Sequence, residues 1–472
     1  MSRAAIIGGG VIGGGWAARF LLNGWDVAVF DPDPQAERKI GEVLANARRA
    51  LPALYDRALP PEGRLTFHAD LAEAVAGASW VQESIPEVLS LKHQILPAIA
   101  AAAGPDAVIG SSTSGFKPSE LNAGGTNAIV AHPFNPVYLL PLVELVGDAA
   151  ACARAADILR GIGMFPLTVR KEIDAHIADR LLEAVWREAL WLVRDGIATT
   201  GEIDEAIRMG FGIRWAQMGL FETYRIAGGE AGMRHFMAQF GPALSWPWTK
   251  LMDVPEFNEE LVELIASQSD AQSGHLSIRE LERLRDDNLV GMMRALRRSD
   301  SGAGGVLRAH EAALPEQGEQ DGLPVTAARQ VPVTWTDYNG HMNETHYLEA
   351  ASLATDRLLE MIGAGADYVA SGRSFFTVET HIRYLDEIHA GDRLTVTTQV
   401  LGAQGKKLHL FHRLHRGDAL AATVETLLLH TDLTTRRTSP PAPEVAGAMA
   451  DWAARHAGMP AEGAGRFTGQ RA

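Results

Sequence analysis

The stretch Ile6–Gly15 (IIGGGVIGGG) decides the fold of the first part of this chain. It follows an apolar strand candidate and opens a helix. Within it, Gly8, Gly10 and Gly13 have the spacing G-x-G-x-x-G, which allows a tight turn, close approach of a pyrophosphate and close helix–strand packing. The free N–H groups at the start of the helix then face the phosphates. The stretch therefore predicts a dinucleotide site on a parallel α/β sheet.

An acidic residue, Asp31, ends the second strand candidate, Val27–Phe30. A carboxylate there accepts hydrogen bonds from the ribose hydroxyls and repels a 2′-phosphate, so we expect NAD rather than NADP. The alternative is a glycine-rich turn without a ligand. The combination of strand, helix and acidic residue favours the nucleotide site.

Composition limits the class of protein. The chain has 472 residues, more than one hydrophobic core usually supports, with 46% hydrophobic and 21% charged residues. A net charge of −15 disfavours nucleic acid and anionic membranes as partners. With one cysteine, Cys152, no secretory signal and no long apolar run, the sequence predicts a cytoplasmic protein without a membrane span and without internal disulfides.

The pattern of apolar residues changes along the chain. Residues 1–175 alternate strands and helices, which predicts an α/β Rossmann domain. Residues 176–300 read as an all-α second domain, and 301–324 as a linker. Residues 325–440 have one helix followed by a meander of strands, an α+β pattern, and 441–472 read as a loosely held tail. A strand is expected at Val331–Trp335, before the helix Asn343–Ile362.

A second group of motifs follows the glycine-rich stretch. Ser111–Ser114 (SSTS) and His132–Pro136 (HPFNP) precede Glu144. Oxidising an alcohol requires a base for the hydroxyl proton, and a largely neutral histidine can accept it. Glu144 can fix the tautomer of His132 and stabilise the imidazolium. A histidine alone is more often structural, but this combination favours a catalytic role.

These motifs resemble the 3-hydroxyacyl-CoA dehydrogenase family over roughly residues 1–300. The resemblance implies that His132 and Glu144 are catalytic and that Ser111 binds the substrate oxygen. It also implies an NAD-dependent homodimer. Glu83–Glu87 (ESIPE) with a following lysine resembles the nicotinamide-side contacts, which implies cofactor roles for three residues: Ser84, Glu87 and Lys92.

The all-α region carries a possible cation site. Asp179, Glu183 and Trp186 recur at helical spacing, so they share one helix face. Three aromatic residues follow in a turn-rich stretch: Trp215, Phe221 and Tyr224. Aromatic rings beside a carboxylate are suited to a trimethylammonium group. The alternative is that the tryptophans pack in the core or at a dimer interface. The family usually has asparagine where this chain has Asp179.

Three segments, Asp179–Leu190, Gly196–Trp215 and Phe221–Phe240, resemble the bacterial carnitine-oxidising branch of the family. This resemblance implies oxidation of L-carnitine, a small 3-hydroxy acid with a fixed cation, to 3-dehydrocarnitine. Lys117 or Arg180 is expected to meet the carboxylate of the substrate.

Two later segments, Val333–Asn343 (VTWTDYNGHMN) and Thr380–Leu394, resemble hotdog-fold acyl-CoA thioesterases over about residues 325–435. A carboxylate such as Asp337 can act as general base or nucleophile toward a thioester. Backbone N–H groups at the start of the next helix can polarise its carbonyl. The alternative is an ordinary turn before a helix.

The resemblance to carnitine-oxidising enzymes that carry such a domain at the C-terminus implies that the thioester is betainyl-CoA. A shared preference for the trimethylammonium cation would explain the fusion. Asn339 and His341 are expected to orient water or the carbonyl. Trp335, Tyr338 or Tyr347 is expected to supply an aromatic face. No bound metal is expected.

Two other functions remain open from the sequence. One is a short-chain 3-hydroxyacyl-CoA dehydrogenase fused to a general acyl-CoA thioesterase. The other is a non-catalytic nucleotide-binding protein, which Ser111, His132 and Glu144 disfavour.

Overall fold

The computed structural model describes residues 2–122, 124–227, 232–240, 248–250, 256, 258–315 and 318–466. The chain forms two compact units. One comprises Met1–Leu51 and Pro61–Ala313, and the other comprises Pro52–Pro60 and Leu314–Ala472. The short segment 52–60 therefore belongs to the C-terminal unit, where Arg57 donates to the carbonyl of Leu314 at 2.8 Å. No composition pattern marks this excursion.

The first unit contains an eight-stranded sheet. Its strands are β1 (Arg3–Ile7), β2 (Asp26–Phe30), β3 (Leu65–His68), β4 (Trp80–Glu83), β5 (Val108–Ser111), β6 (Ile129–Pro133), β7 (Leu142–Val146) and β8 (Phe165–Thr168). The order is β3-β2-β1-β4-β5-β6-β7-β8, with every neighbouring pair parallel except the antiparallel pair β6 and β7. This is the predicted Rossmann sheet.

Three of these strands, β3, β7 and β8, were not predicted from the sequence. β3 and β8 are four-residue strands at the two edges of the sheet, where half-exposed side chains produce no apolar run. β7 (LVELV) is buried but carries Glu144 at its centre, which interrupts the apolar pattern of a buried strand.

Helices cover this sheet. They are α1 (Val11–Leu21), α2 (Ala36–Ala50), α3 (Leu71–Val75), α4 (Leu89–Ala102), α5 (Pro118–Leu121) and α6 (Ala149–Gly161). One face of the sheet packs Val81 and Val130 against Leu96 and Ile99 of α4, all fully buried. Burial of each such side chain is worth about 1.5–3 kcal/mol. This packing holds the carboxyl ends of the central strands in place.

The rest of the first unit is helical, as predicted. Its helices are α7 (Ala178–Arg194), α8 (Thr200–Ala206), α9 (Gly212–Ala227), α10 (Gly232–Phe240), α11 (Glu259–Ser273), α12 (Ile278–Arg298) and α13 (Ala303–Ala313). A π-helical turn, Ile207–Phe211, separates α8 from α9. Ser277 starts α12 through a capping box with Glu280. The segment expected to be a linker contains α13.

The second unit is a long antiparallel sheet with helices. Its strands are β9 (Glu319–Gln320), β10 (Leu323–Gln330), β11 (Arg373–Tyr384), β12 (Arg393–Gln404), β13 (Lys407–Arg416), β14 (Ala419–Asp432) and β15 (Arg437–Thr438). Its helices are α14 (Glu344–Met361), α15 (Ala366–Ala370) and α16 (Pro443–Arg455). The sheet order is β11-β14-β13-β12-β10-β9, and β15 pairs with β14.

The central helix α14 lies against this sheet. Its buried face consists largely of small residues, Ala350, Ala351 and Ala354, which allow the helix to approach Val396 and Val424 closely. Asn343 caps the helix by accepting a hydrogen bond from the N–H of Thr345 at 3.0 Å. The arrangement is the predicted α+β hotdog fold.

Two local expectations in this unit were wrong. Val333–Trp335 is a short 3-10 helix rather than a strand, because the strand ends earlier, at Gln330, and Pro332 precedes the turn. Within the segment expected to be loosely held, residues 443–455 form α16, whose Val445 and Met449 are buried against the sheet and α14. Residues 467–472 lie outside the described residues.

Among the described residues, no helix is long and apolar enough to cross a membrane.

Candidate active sites

A cavity of about 640 Å³ lies at the carboxyl ends of β1, β2 and β4, and four of the predicted cofactor residues line it: Gly8, Gly10, Asp31 and Ser84. Gly8 has φ +102°, and a Cβ there would lie 2.6 Å from the carbonyl oxygen of Ser84. A Cβ on Gly13 would collide with the carbonyl of Gly8, whereas one on Gly10 would meet nothing within 4 Å. Gly8 and Gly13 therefore permit close packing, and Gly10 leaves the cleft open.

The acidic residue of this cleft is held in place by its own loop. Asp31 accepts from the N–H of Gly9 at 2.5 Å and from that of Asp33 at 2.7 Å. It lines the same cavity as the start of α1. A helix N-terminus for phosphates beside a carboxylate for the ribose fits NAD.

Two of the predicted nicotinamide-side residues, Lys92 and Glu87, form a charge cluster with the buried Glu83. Lys92, 1% exposed, donates to Glu83 at 2.8 Å and lies 3.2 Å from Glu87. Burial raises the pKa of the Glu87 carboxyl, but hydrogen bonds from Thr113 and Lys92, with the charge of Lys92, outweigh it and leave the pKa lowered. Glu87 therefore stays ionised beside the cofactor cleft.

Ser111 belongs to this cluster and not to the surface of the substrate site. Its hydroxyl is fully buried and donates to Glu83 at 2.5 Å. The hydroxyl hydrogen of Ser111 is therefore directed at Glu83 and not at the position expected for the substrate oxygen. Ser114, in the same segment, is exposed, and its N–H donates to Glu87 at 3.1 Å.

Ser84 makes a different contact. Its hydroxyl lies 2.8 Å from that of Ser112, which also accepts from Trp16 at 3.2 Å and Gln82 at 2.8 Å. This network ties α1, β4 and the end of β5 together at the mouth of the cleft.

His132 and Glu144 are directly opposite each other across the antiparallel pair β6 and β7. Their side chains meet with His132 Nδ1 3.1 Å from Glu144 Oε2. His132 is 4% exposed and Glu144 is fully buried. The strand register therefore explains the spacing that the sequence showed, and the pair is the predicted histidine–carboxylate couple.

The other oxygen of Glu144 receives the N-terminus of α7. The N–H groups of Ile177 and Ala178 donate to Oε1 at 2.9 and 3.0 Å. Burial raises the pKa of Glu144, yet hydrogen bonds from His132 and these two N–H groups together lower it below its usual value. Glu144 is therefore an anion that stabilises positive charge on His132.

Asp179, in the first turn of α7, approaches the opposite nitrogen of the imidazole. Its Oδ2 lies 3.4 Å from His132 Nε2. Burial is the largest influence on the Asp179 carboxyl and raises its pKa; Glu144 also raises it, while His132 opposes the shift. A carboxylate in this state gains from a cation placed beside it.

His176 is a further residue of this site that the sequence reading did not single out. It is fully buried, its ring centroid lies 5.6 Å from that of His132, and its Nε2 lies 3.4 Å from the carbonyl of Thr113. Its Nδ1 has no hydrogen-bond partner among the described residues. Burial, followed by the nearby His132, lowers its pKa and keeps it neutral.

Glu83 was also missed as a functional residue. The available signal was its position at the end of β4, in the centre of the parallel sheet, where a buried acid requires a partner. His176 carries no comparable signal, because only the tertiary structure brings it beside His132.

Within the described residues, the aromatic side chains predicted for the cation site do not enclose a common space. These side chains are Trp186, Trp215, Phe221 and Tyr224. Trp186 is 54% exposed and Phe221 is 73% exposed. Trp215 packs on Phe211 at 4.6 Å, and Tyr224 stacks on Phe236 at 4.5 Å. Glu183 lies 3.8 Å from Arg187 on its own helix. Of the predicted cation-binding residues, Asp179 is the one that the structure places against His132.

The residues expected to meet the substrate carboxylate lie at the surface. Lys117 pairs with Asp174 at 2.8 Å, and Arg180 is exposed in the first turn of α7. Lys117 is therefore already neutralised, which weighs against the role expected for it.

In the second unit, Asp337 organises the turn before α14. Its Oδ1 accepts from the N–H groups of Asn339 at 2.8 Å and His341 at 3.4 Å. The turn places this carboxylate just ahead of the N-terminus of α14. Both the functional and the ordinary-turn interpretations are compatible with these contacts.

The three aromatic residues predicted to contact the acyl group differ in burial. Trp335 and Tyr347 are each 4% exposed and belong to the core, whereas Tyr338 is 96% exposed. Trp335 stacks on His346 at 4.8 Å and carries Arg329 on its ring at 4.0 Å. Tyr338 is therefore the residue of the three that can meet a ligand.

Matches to protein-family models cover parts of both units. Residues 3–173 match the NAD-binding domain of 3-hydroxyacyl-CoA dehydrogenase, residues 176–260 match its C-terminal domain, and residues 331–449 match the thioesterase-like superfamily. The chain belongs to the 3-hydroxyacyl-CoA dehydrogenase family and carries a C-terminal thioesterase-like domain.

Two relatives show more narrowly which enzymes of this family the chain is similar to. The L-carnitine dehydrogenase/betainyl-CoA thioesterase of Ruegeria pomeroyi is 67% identical, over 98% of this chain and 99% of the relative. The L-carnitine dehydrogenase of Pseudomonas aeruginosa is 54% identical and covers 62% of this chain and 93% of its own.

Among solved structures, an NAD⁺-dependent dismutase named 5-formyl-3-hydroxy-2-methylpyridine 4-carboxylic acid 5-dehydrogenase matches with 26% identity and a TM-score of 0.52. The match covers 63% of this chain and 98% of that one. The chain is thus an NAD-dependent enzyme with a second, thioesterase-like part.

Replacing Glu144 with glutamine removes the charge that stabilises the imidazolium, and it turns the amide NH2 either toward His132 or toward the N–H groups of Ile177 and Ala178, which cannot accept from it. We expect kcat/KM for NAD reduction to fall by about 10²–10⁴-fold, together with a loss of stability of about 1–3 kcal/mol from the unsatisfied N–H groups. NADH absorbance measures the rate. The matched variant Glu62→Gln, which breaks a surface ion pair with Arg48, should retain full activity. A Glu144→Gln enzyme as active as wild type would contradict this role.

Proposed function

We propose that the chain oxidises L-carnitine to 3-dehydrocarnitine with NAD and hydrolyses betainyl-CoA to glycine betaine and CoA. The observation that carries the first activity is the position of His132 between two carboxylates, Glu144 at Nδ1 and Asp179 at Nε2. The whole-length similarity to bifunctional relatives supports the pairing of the two activities.

This geometry indicates which atom accepts the proton of the substrate hydroxyl. Nε2 of His132 accepts the proton of the substrate hydroxyl, because Nδ1 faces Glu144. The bound nicotinamide supplies the acceptor for the hydride. Glu144, kept anionic by the backbone of α7, stabilises the imidazolium, as in other histidine–carboxylate pairs. The closed surroundings strengthen this attraction.

The substrate hydroxyl also needs a partner as it becomes a carbonyl. Ser111 is buried and bonded to Glu83, so we assign this contact to Ser114. Ser114 follows Thr113, whose carbonyl lies 3.4 Å from His176 in the wall of the same site. Ser111 instead holds Glu83 beside Lys92.

Asp179 explains the preference for carnitine. A trimethylammonium group cannot donate a hydrogen bond or lose its charge, so it is recognised by charge and contact alone. Asp179 is half-buried with a raised pKa, and a fixed cation nearby restores the favourable ionised form. A neutral substrate would leave this carboxylate without compensation.

The thioesterase activity is assigned to the Asp337 turn. Asp337 acts on the thioester carbon directly or through water, and the start of α14 polarises the thioester carbonyl. The exposed ring of Tyr338 is placed to contact the cation of the acyl group.

The active form is a homodimer in this proposal. α7 exposes Leu181, Leu182 and Trp186, each more than half exposed, and α9 exposes Phe221 at 73%. Large apolar side chains clustered on a helical region mark an interface with a partner. A second copy of the chain fits because like faces can pair by two-fold symmetry.

Asp179→Asn tests the substrate. The variant should raise KM for L-carnitine by about 10–100-fold, because it removes the charge that balances the cation. Oxidation of 3-hydroxybutyrate, which lacks the cation, should not weaken. Glu183→Gln, on the same helix face, is the control. Wild-type turnover of 3-hydroxybutyryl-CoA but not of carnitine would overturn the assignment.

Ser114→Ala and Ser111→Ala distinguish the two serines. Ser114→Ala should lower kcat by about tenfold or more without changing KM for NAD, because it removes a hydrogen bond to the reacting oxygen. Ser111→Ala should mainly lower stability and NAD affinity, because it frees a buried oxygen of Glu83. Steady-state kinetics and thermal melting measure both. The reverse pattern would return the role to Ser111.

Asp337→Asn keeps an oxygen for the turn but loses the charge. Betainyl-CoA hydrolysis, followed by release of the CoA thiol, should fall by at least about 10²-fold. Carnitine oxidation by the same protein should be unchanged. The exposed turn variant Asp418→Asn is the matched control. Retention of hydrolysis by Asp337→Asn would favour the ordinary-turn interpretation.

A further inference from the structure

Two histidines and a glutamate converge beside the Asp337 turn. His341 lies in the turn before α14, and Glu387 and His389 lie between β11 and β12. His341 and His389 form an isolated antiparallel bridge, and the N–H of Met342 donates to the carbonyl of Ile388 at 2.6 Å. Ile388 is fully buried. Because side chains alternate along extended backbone, this anchor turns Glu387 and His389 away from the core together.

The distances suit a single small ion. Nε2 of His341 lies 3.4 Å from Oε2 of Glu387, and one ligand atom from each of the three residues lies within 4.8 Å of the others. Zinc bonds to nitrogen and oxygen of about 2.0–2.2 Å place ligands roughly 3.3–3.5 Å apart in a tetrahedron. One pair already has that separation, and small side-chain rotations bring in the third.

The second histidine has the support that metal ligands usually have. Oδ2 of Asp392 accepts from the backbone N–H of His389 at 2.8 Å and lies 3.6 Å from its Nδ1. That separation is longer than a hydrogen bond, but the nearby negative charge favours the proton on Nδ1 and leaves Nε2 as the ligand atom. The neighbouring Asp386 is paired with Arg416 at 2.8 Å, whereas Glu387 is 63% exposed and faces His341.

We propose that His341, Glu387 and His389 bind a divalent transition-metal ion of the Zn²⁺ class, with solvent in the fourth position. Two imidazoles and one carboxylate favour Zn²⁺ or Co²⁺ over Mg²⁺ and Ca²⁺, which prefer oxygen ligands. The ion joins the turn that holds Asp337 to the segment that leads into β12. The site is separate from the residues that carry out carnitine oxidation.

The test uses tag-free full-length protein with Co²⁺ as the spectroscopic probe and Zn²⁺ in calorimetry. Wild type should bind one more equivalent per chain than His389→Ala, with visible absorption typical of tetrahedral Co²⁺. Asp392→Asn keeps an oxygen for the backbone N–H but loses the charge near Nδ1, so it should bind about 10–100-fold more weakly. Glu387→Gln should also bind weakly.

The matched control is His409→Ala. His409 pairs with Glu425 at 2.8 Å on another part of the sheet, and among the described residues no third ligand completes a metal group there. This variant should bind as wild type does. Equal stoichiometry and affinity in wild type and His389→Ala, or no binding by wild type at micromolar metal, would overturn the proposal. Circular dichroism verifies that each variant is folded.

Discussion

The oxidative site depends on one buried carboxylate. Glu144 joins three elements, since one oxygen meets His132 across β6 and β7 and the other receives the first N–H groups of α7. A buried anion without these partners would be costly, so the sheet and α7 are held together by the need to satisfy it. The same contacts lower its pKa and supply the negative charge that the imidazolium requires. Glu144 therefore both holds α7 on the sheet and provides the charge beside His132.

A consequence of this arrangement is the position of Asp179. Because the N-terminus of α7 is fixed on Glu144, the first turn of the helix carries Asp179 to the far side of the same imidazole. The family's usual asparagine would be neutral there. In the function proposed above, the carboxylate changes the charge beside His132 while α7 keeps its position on Glu144, which suits a cationic 3-hydroxy substrate.

The two units position their charged side chains by different kinds of packing. In the first, the buried charges Glu83 and Lys92 neutralise each other at the carboxyl ends of the strands, where the cofactor cleft opens. In the second, a helix with a small-residue face packs into an antiparallel sheet, and Asp337 holds the exposed turn at its N-terminus. In both units a carboxylate lies beside the start of a helix, Glu144 at α7 and Asp337 ahead of α14, where the helix dipole favours negative charge.

Much of this protein follows from local sequence. The glycine spacing around Gly8, the acid at Asp31 and the helical spacing of the second region predicted the sheet, the cofactor and the all-α part, because these signals act over a few neighbouring residues. The resemblance to the 3-hydroxyacyl-CoA dehydrogenase family predicted the partnership of His132 and Glu144. Tertiary structure alone decided that Ser111 is buried, that His176 stands beside His132, that the tail becomes α16, and that His341 meets His389. Each of these depends on contacts between segments far apart in the chain, and burial at such contacts leaves no periodic pattern in the sequence.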